Sequence, residues 1–140
     1  MPIVTSASRC PCLSGDAYGT CCEPCHLGAE QAPTATRLMR SRYSAFAVGD
    51  AAYLLSTWHP ATRPGTLDLD GSVRWFRLDI LDATGGGLLD DTGTVEFEAH
   101  RREGSTAVVQ HENSRFSRVD GRWVYVDEVR VLRSPSRRGR

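Results

Sequence analysis

The chain has 140 residues, 40% of them hydrophobic and 24% charged, and its 17 arginines balance 17 acidic side chains. This composition is typical of one globular domain with a small appendage and argues against global disorder. The sequence contains no lysine, which excludes Schiff-base chemistry, a lysine general base and a P-loop lysine. No apolar run reaches the ~18 residues of a membrane span, and the N-terminus lacks a secretory-signal pattern, so we expect a cytoplasmic protein with no membrane partner.

The N-terminal region is predicted to be a flexible arm over residues 1–9 followed by a cysteine-rich knot over residues 10–26. Its core, "CPCLSGDAYGTCC", holds four of the five cysteines in the chain. A disulfide framework needs an oxidising compartment, and pairing between neighbouring cysteines here would be strained. A redox pair of the Cys-x-x-Cys type fits only Cys22 and Cys25, and no strand precedes them. Both remain the less favoured alternatives.

Zinc accounts for this cysteine pattern better. Four thiolates at about 2.3 Å can surround one tetrahedral ion when two close pairs meet across a turn. The segment "SGDAYG" can supply that turn because Gly15 and Gly19 tolerate unusual backbone angles. The knot is too short to hold a core of its own, so metal binding would supply its folding energy. Four thiolates leave no open coordination position, which predicts a structural site.

Two helices are predicted after the knot. Apolar residues recur at helical spacing after Pro33 and Thr34, either of which suits a helix start. Gly49 ends this helix, and Asp50 can cap a second one, which must end before Pro60.

Arg42 falls on the apolar stripe of the first predicted helix. In one interpretation its stem lies along apolar surface while the guanidinium reaches water. In the other, the side chain points into the interior and pairs there with a carboxylate such as Glu112.

The second half of the chain is predicted to form four strands, mostly joined as hairpins. The strands alternate between apolar and polar residues, and Asp120-Gly121 is a strong hairpin signal. Two helices followed by four such strands predict an α+β fold, with helices on one face of a curved antiparallel sheet and room for a cavity between the layers. Two triplets are predicted to face the core: Phe76, Leu78 and Ile80, and Val95, Phe97 and Ala99.

The pattern C-x-C-x8-C-C around S-G-x-x-Y resembles the SEC-C zinc motif, known from the C-terminal tail of the bacterial preprotein translocase ATPase. In that motif, Leu13 stands where glycine is usual. Cys25 and His26 lie beyond the motif, and either is an alternative to Cys22 as the fourth ligand. The resemblance implies a structural zinc ion and these ligands: Cys10, Cys12, Cys21 and Cys22.

The rest of the chain resembles the YchJ-like family of small bacterial proteins. The similarity runs from Cys10 to Asp127 and is carried by "LMRSRYSAF", "LLSTWHP", "GTVEFEA", "HENSRF" and "GRWVYVD". Glu128 departs from the glycine that the family tends to have. The resemblance implies an N-terminal SEC-C motif joined to a cone-shaped nuclear-transport-factor-2-like domain, here over residues 33–132. It implies no established activity.

A pocket between helices and sheet is a further prediction. Glu112 or His59 would act there as a general base, while Arg42 or Arg115 would hold an anionic group. The plainer alternative is a buried ion pair without a substrate. Glu96, Glu98 and His100 are most simply a solvated strand face. The candidate pocket residues are Arg42, Tyr43, Trp58, His59, Glu112 and Arg115.

Three functions are compatible with the sequence. The first is a binding or adaptor protein, with a protein partner at the zinc knot and a small molecule in the domain. The second is an acid–base enzyme such as an isomerase, dehydratase or hydrolase. The third and weakest is RNA binding through the knot and residues 133–140, a basic tail that we expect to be disordered. Nucleic acid is disfavoured because that tail holds four arginines, which leaves 13 arginines against 17 acids in the rest of the chain.

Overall fold

A computed structural model of the protein describes residues 4–129. The N-terminal segment contains a short 3-10 turn, Tyr18–Thr20, and helix α1, Glu23–His26. Helices α2 and α3 follow at Ala35–Val48 and Ala51–Ser56. The four strands are β1, Arg74–Gly85; β2, Thr92–Glu103; β3, Thr106–Val119; and β4, Arg122–Glu128. No helix within this described part is long and apolar enough to cross a bilayer.

The ends of the two main helices follow the capping residues in the sequence. The Thr34 side chain accepts a hydrogen bond from the backbone N–H of Arg37 at 3.1 Å, which caps α2. Gly49 ends α2 in the left-handed region with φ of 81°. The Asp50 carboxylate accepts from the backbone N–H of Tyr53 at 3.0 Å and so starts α3.

The strands form one antiparallel sheet in the order β1-β2-β3-β4. Asp120 and Gly121 join β3 to β4 with φ of 53° and 80°, the backbone angles of a tight hairpin turn. Helix α2 packs across one face of this curved sheet, as the predicted α+β class requires. The core between them includes Leu38, Tyr43, Val95, Phe97, Phe116 and Trp123.

One predicted core residue lies elsewhere. Trp75 pairs with Arg101 and Arg77 pairs with His100, so Phe76 is an extra residue in β1, a β-bulge. The bulge reverses the alternation at this point, and Phe76 is 46% exposed while Trp75 packs against the core. Leu78 and the second triplet, Val95, Phe97 and Ala99, are buried as predicted.

The segment before the knot, predicted to be a loose arm, is described from Val4 onward. There it hydrogen-bonds with the knot. The carbonyl of Ser6 accepts from the N–H of Gly19 at 2.9 Å, and that of Ser8 accepts from Tyr18 at 2.7 Å. The predicted basic tail over 133–140 lies outside the described residues.

Candidate metal centre and internal cavity

Four buried thiols meet in the knot. The sulfur atoms of Cys10, Cys12, Cys21 and Cys22 all lie within 4.8 Å of one another. The Cys12 and Cys21 sulfurs are 3.6 Å apart, and those of Cys21 and Cys22 are 3.9 Å apart. A tetrahedron with metal–sulfur bonds of 2.3 Å has an edge of about 3.8 Å. The residues present therefore fit one tetrahedrally bound metal ion.

A tight turn brings the first cysteine pair into place. The N–H of Leu13 donates to the carbonyl of Cys10 at 3.0 Å. The N–H of Cys10 in turn donates to the carbonyl of Asp16 at 2.9 Å. Leu13 has φ of 62°, in the left-handed region that costs a non-glycine residue roughly 1–2 kcal/mol. Leu13 thus adopts a backbone conformation that favours glycine.

Helix α2 contributes polar groups to one side of this cluster. The Nη1 of Arg37 donates to the sulfur of Cys22 at 3.4 Å, and its Nη2 donates to the carbonyl of Cys21. Arg40 donates to the carbonyl of Cys12 at 2.8 Å. A metal ion with four thiolates carries a net negative charge, which these guanidinium groups offset.

Ser44 completes the contact, with its hydroxyl 3.5 Å from the sulfur of Cys10. Sequence reasoning missed Arg37, Arg40 and Ser44. Their spacing places them on one face of α2, but a polar helix face is more often solvated than docked on a neighbour.

Cys25 and His26 do not belong to the group of four sulfurs. Cys25 is buried in a separate cluster with Ala45, Tyr53 and Leu54. His26 uses both ring nitrogens elsewhere: Nδ1 lies 2.6 Å from the Tyr18 hydroxyl, and Nε2 lies 2.8 Å from the carbonyl of Ser41. Burial lowers the pKa of His26 and so disfavours the charged ring. His26 thereby joins the knot to α2.

A second group of potential ligands lies on the outer face of the sheet. The ligand atoms of Asp79, Glu98 and His100 lie within 4.8 Å of one another. However, Arg77 forms an ion pair with Asp79 at 3.0 Å, and His100 lies 3.1 Å from the same carboxylate. Side chains of this face, which includes the predicted solvated row Glu96, Glu98 and His100, form ion pairs with one another.

A cavity of about 330 Å³ lies between α2 and the sheet. Four of the six candidate pocket residues line it: Arg42, Tyr43, Trp58 and Glu112. The cavity also has walls that sequence reasoning missed: Phe46, Trp75, Gln110, Ser114 and Tyr125.

His59 and Arg115 lie away from this cavity, in a separate groove near the start of β2. The Nδ1 of His59 accepts a hydrogen bond from the backbone N–H of Ala61 at 3.0 Å, which is a local turn contact. Arg115 binds the carboxylate of Asp127 through two hydrogen bonds of 2.6 and 2.8 Å. Arg115 is three residues from Glu112, so strand alternation places the two on opposite faces.

Arg42 is 4% exposed and points into the interior. Its Nη1 donates to the carbonyl of Leu54 and to the hydroxyl of Thr57, both at 2.8 Å. The guanidinium carbon lies 5.1 Å from the Trp58 ring centre and 4.8 Å from that of Tyr125. Burial lowers its pKa to about 10, so Arg42 remains a cation at neutral pH.

Arg42 points into the interior, as the second sequence interpretation expected, but it lacks, among the described residues, the carboxylate partner that this interpretation gave it. Its low exposure excludes a guanidinium that reaches water. Within residues 4–129 it forms no ion pair with a carboxylate, Glu112 included.

Glu112 lies in the cavity wall and is held by neighbouring donors. Ser114 donates to its Oε2 at 2.6 Å, and the Tyr125 hydroxyl donates to the same oxygen at 3.2 Å. Gln110 donates to Oε1 at 3.0 Å. The buried Nε1 of Trp58, in contrast, has no hydrogen-bond partner in the described part of the chain.

The family follows from comparison with known proteins. A family model described as "YchJ, middle NTF2-like domain" matches residues 34–128. The chain belongs to the YchJ-like family. A UPF0225 protein of Streptomyces coelicolor is 56% identical over 118 residues, which cover 84% of this chain and 92% of that protein. One of Corynebacterium glutamicum is 55% identical over 117 residues, covering 84% and 93%.

Solved structures support the same family and fold. The solution structure of a SEC-C motif containing protein from Rhodopseudomonas palustris matches with a TM-score of 0.76 and 33% identity, over 88% of this chain and 98% of that one. The crystal structure of a SEC-C motif containing protein from Psychrobacter arcticus matches with a TM-score of 0.72 and 26% identity, over 92% and 86%. The predicted YchJ-like family, with a nuclear-transport-factor-2-like domain, is thus confirmed.

Proposed function

We propose that this YchJ-like protein is a binding or adaptor protein. Its knot holds a structural zinc ion and offers a surface to a protein partner, and its cavity binds a small molecule with an anionic group. The observation that carries the small-molecule part is Arg42, a buried cation beside the cavity without a carboxylate partner among residues 4–129.

The cavity favours a ligand with hydrogen-bond acceptors. Arg42 uses only its Nη1 for hydrogen bonds within the described residues, so Nε and Nη2 are available. Trp58 supplies another donor, its buried Nε1. A buried cation and an unpaired donor are costly in an apolar interior unless something compensates them. A carboxylate on the ligand would accept from both groups.

The remaining walls favour a flat apolar body on the same ligand. Phe46, Trp75 and Phe97 line the cavity with aromatic rings. Its volume of about 330 Å³ lies at the lower end of small-molecule sites. We therefore expect a small aromatic or unsaturated carboxylic acid.

Binding is favoured over proton transfer by the state of Glu112. A general base must accept a proton from the substrate, but three protein donors already occupy the Glu112 oxygens. His59, the other candidate base, lies outside the cavity.

The thiolate cluster supports zinc as the metal. Four soft sulfur donors in a tetrahedral arrangement suit Zn²⁺ and leave no open position for a substrate. The bound ion would supply folding energy to a segment that has little apolar core of its own.

The ligand proposal is tested by titrating the metal-loaded protein with 2-naphthoate, indole-3-acetate and phenylacetate, with the corresponding primary amides as controls. Binding is followed by isothermal titration calorimetry, which does not depend on the fluorescence of the ligands. We expect at least one acid to bind, its amide to bind at least about tenfold more weakly, and Arg42→Met to lose a similar factor. The matched control, Arg115→Met, should bind as the wild type does. No binding by any acid, equal binding by acid and amide, or full affinity in Arg42→Met would contradict the proposal.

The metal proposal is tested by elemental analysis of the purified protein. We expect one zinc ion per chain, retained in Cys25→Ser and lost in Cys22→Ser. Loss of zinc in Cys25→Ser with retention in Cys22→Ser would overturn the ligand set. Another metal in place of zinc would overturn its identity.

A further inference from the structure

An open groove of about 790 Å³ runs between the knot and the edge strand β1. Its floor is apolar and includes Pro11, Val48 and Trp75, and two exposed apolar side chains, Leu13 and Phe76, stand at its sides. Three exposed arginines, Arg9, Arg74 and Arg102, also line it.

Irregular backbone geometry places Leu13 and Phe76 at the protein surface. Leu13 is 43% exposed and held in the left-handed region, where glycine would be relaxed. Phe76 is 46% exposed because it is the extra residue of a β-bulge. A strained leucine and a bulged phenylalanine each cost folding free energy, and nearly half of each residue stays exposed. Their convergence on one groove points to a surface that is covered by something else.

The arginines of this groove are unusual in their surroundings. Residues 4–129 hold 17 acidic residues and only 12 arginines, because five arginines lie beyond residue 129. Despite this excess of acid, Arg9, Arg74 and Arg102 form no ion pair within the described chain, and the groove lining contains no acidic residue. Arg102 instead lies with its guanidinium carbon 5.6 Å from the Phe76 ring centre.

We propose that this groove binds an acidic segment of a partner protein that carries apolar side chains. The apolar residues would cover Leu13, Phe76 and Trp75, and carboxylates would pair with Arg9, Arg74 and Arg102. The inference rests on the adaptor role proposed above; Trp75 lines both the groove and the cavity, whereas Leu13, Phe76 and the three arginines line the groove alone. A nucleic acid fits less well, since three arginines on a domain with excess acid offer little phosphate neutralisation and the floor between them is apolar.

The test is selection of a phage-displayed library of random dodecapeptides on the immobilised full-length, metal-loaded protein. We expect the enriched peptides to carry net negative charge together with two or more apolar residues. The tightest peptide is then labelled with fluorescein, and its affinity is measured by fluorescence polarisation for the wild type and for each variant below.

Leu13→Gly is the decisive variant because it removes the apolar contact while relaxing the strained turn. We expect it to weaken peptide binding roughly tenfold while zinc content and thermal stability are retained or improved. Arg74→Glu with Arg102→Glu should weaken binding by at least about tenfold, with the loss largest at low salt. Arg63→Glu is the matched control, since Arg63 is exposed, lies outside the groove and forms no ion pair within residues 4–129.

The possible failures are distinguishable. Peptides that bind Leu13→Gly and Arg74→Glu/Arg102→Glu as tightly as the wild type would overturn the groove and leave an adaptor with another surface. No enrichment of any peptide would overturn the groove and the adaptor role together. Binding of polyuridylate that the same variants abolish would assign the groove to nucleic acid. Self-association lost in Leu13→Gly would assign it to a second copy of this chain.

Discussion

The Nη1 of Arg37 lies 3.4 Å from the sulfur of Cys22, so helix α2 directly contacts the candidate metal ligands. The same side chain donates to the carbonyl of Cys21. One residue of the domain thus touches both members of the adjacent cysteine pair. The knot and the domain are joined by a contact at the candidate metal site itself.

Replacing Arg37 should therefore loosen the metal. We expect Arg37→Met to release zinc to a chromogenic chelator about tenfold faster than the wild type, since outer contacts to metal ligands typically change affinity by this order. Arg63→Met, at an exposed position without an ion pair in the described chain, serves as the control. Equal release rates in all three proteins would show that the contact does not tune the site.

Replacing Arg42 should raise the stability of the fold while it weakens ligand binding. Burial lowers its pKa from 12.5 to about 10, which corresponds to a cost on the order of 3 kcal/mol for keeping the charge inside. Arg42→Met removes that cost and loses two hydrogen bonds of about 1 kcal/mol each, so we expect the free energy of unfolding to rise by about 1 kcal/mol. Urea denaturation measures this change. A marked fall in stability would mean that Arg42 is mainly a structural residue.

Gly86 and Gly93 approach each other closely where β1 connects to β2, so we expect no room for a side chain at Gly93. A Cβ at Gly93 would lie 2.5 Å from the Cα of Gly86, whose carbonyl accepts from the N–H of Ala35 at the start of α2. We expect Gly93→Ala to lower the free energy of unfolding by about 3 kcal/mol. Gly65→Ala, with open space around its Cβ, should change it by less than about 0.5 kcal/mol. Similar midpoints for the two variants in urea would contradict this expectation.

The tyrosines should make the protein sensitive to alkali. Burial raises the pKa of Tyr18 and Tyr53 to about 12, and it also raises that of Tyr43 and Tyr125. The folded state keeps these protons where the unfolded chain has lost them, so their contribution is complete below about pH 10 and is lost as the pH rises through about 12.

Arg42 acts in the opposite sense over part of this range, because its pKa is lowered, but one arginine opposes four tyrosines. We expect little tyrosinate absorbance up to about pH 11, followed by a rise that coincides with loss of helical circular dichroism. A gradual rise from pH 10 with the fold intact would show that the hydroxyls are accessible to solvent.

Local features of the sequence predicted much of this molecule. The caps at Thr34 and Asp50 and the turn at Asp120 depend on neighbouring residues, so their signals lie in short segments. The close cysteine spacing is local in the same way. The bulge at Phe76 was missed because alternation of residue types does not reveal an inserted residue.

The surroundings of the cavity residues depend on contacts between segments that are distant in sequence. The sequence indicated that Arg42 was unusual but not what surrounds it, because Leu54, Thr57 and Trp58 come from the next helix and its end. The backbone N–H of His59 donates to the carbonyl of Tyr125 at 2.7 Å, and this pairing with β4 sets where His59 lies.

Helix α2 presents Arg37, Arg40 and Ser44 to the knot, and it presents Arg42 and Tyr43 to the cavity. The proposed metal and the proposed cavity ligand would therefore act on two sides of the same helix. Free-energy coupling between two sites is reciprocal, so a ligand that fixes α2 would tighten metal binding by the same factor by which the metal tightens ligand binding. Zinc supply and ligand supply would then be sensed together.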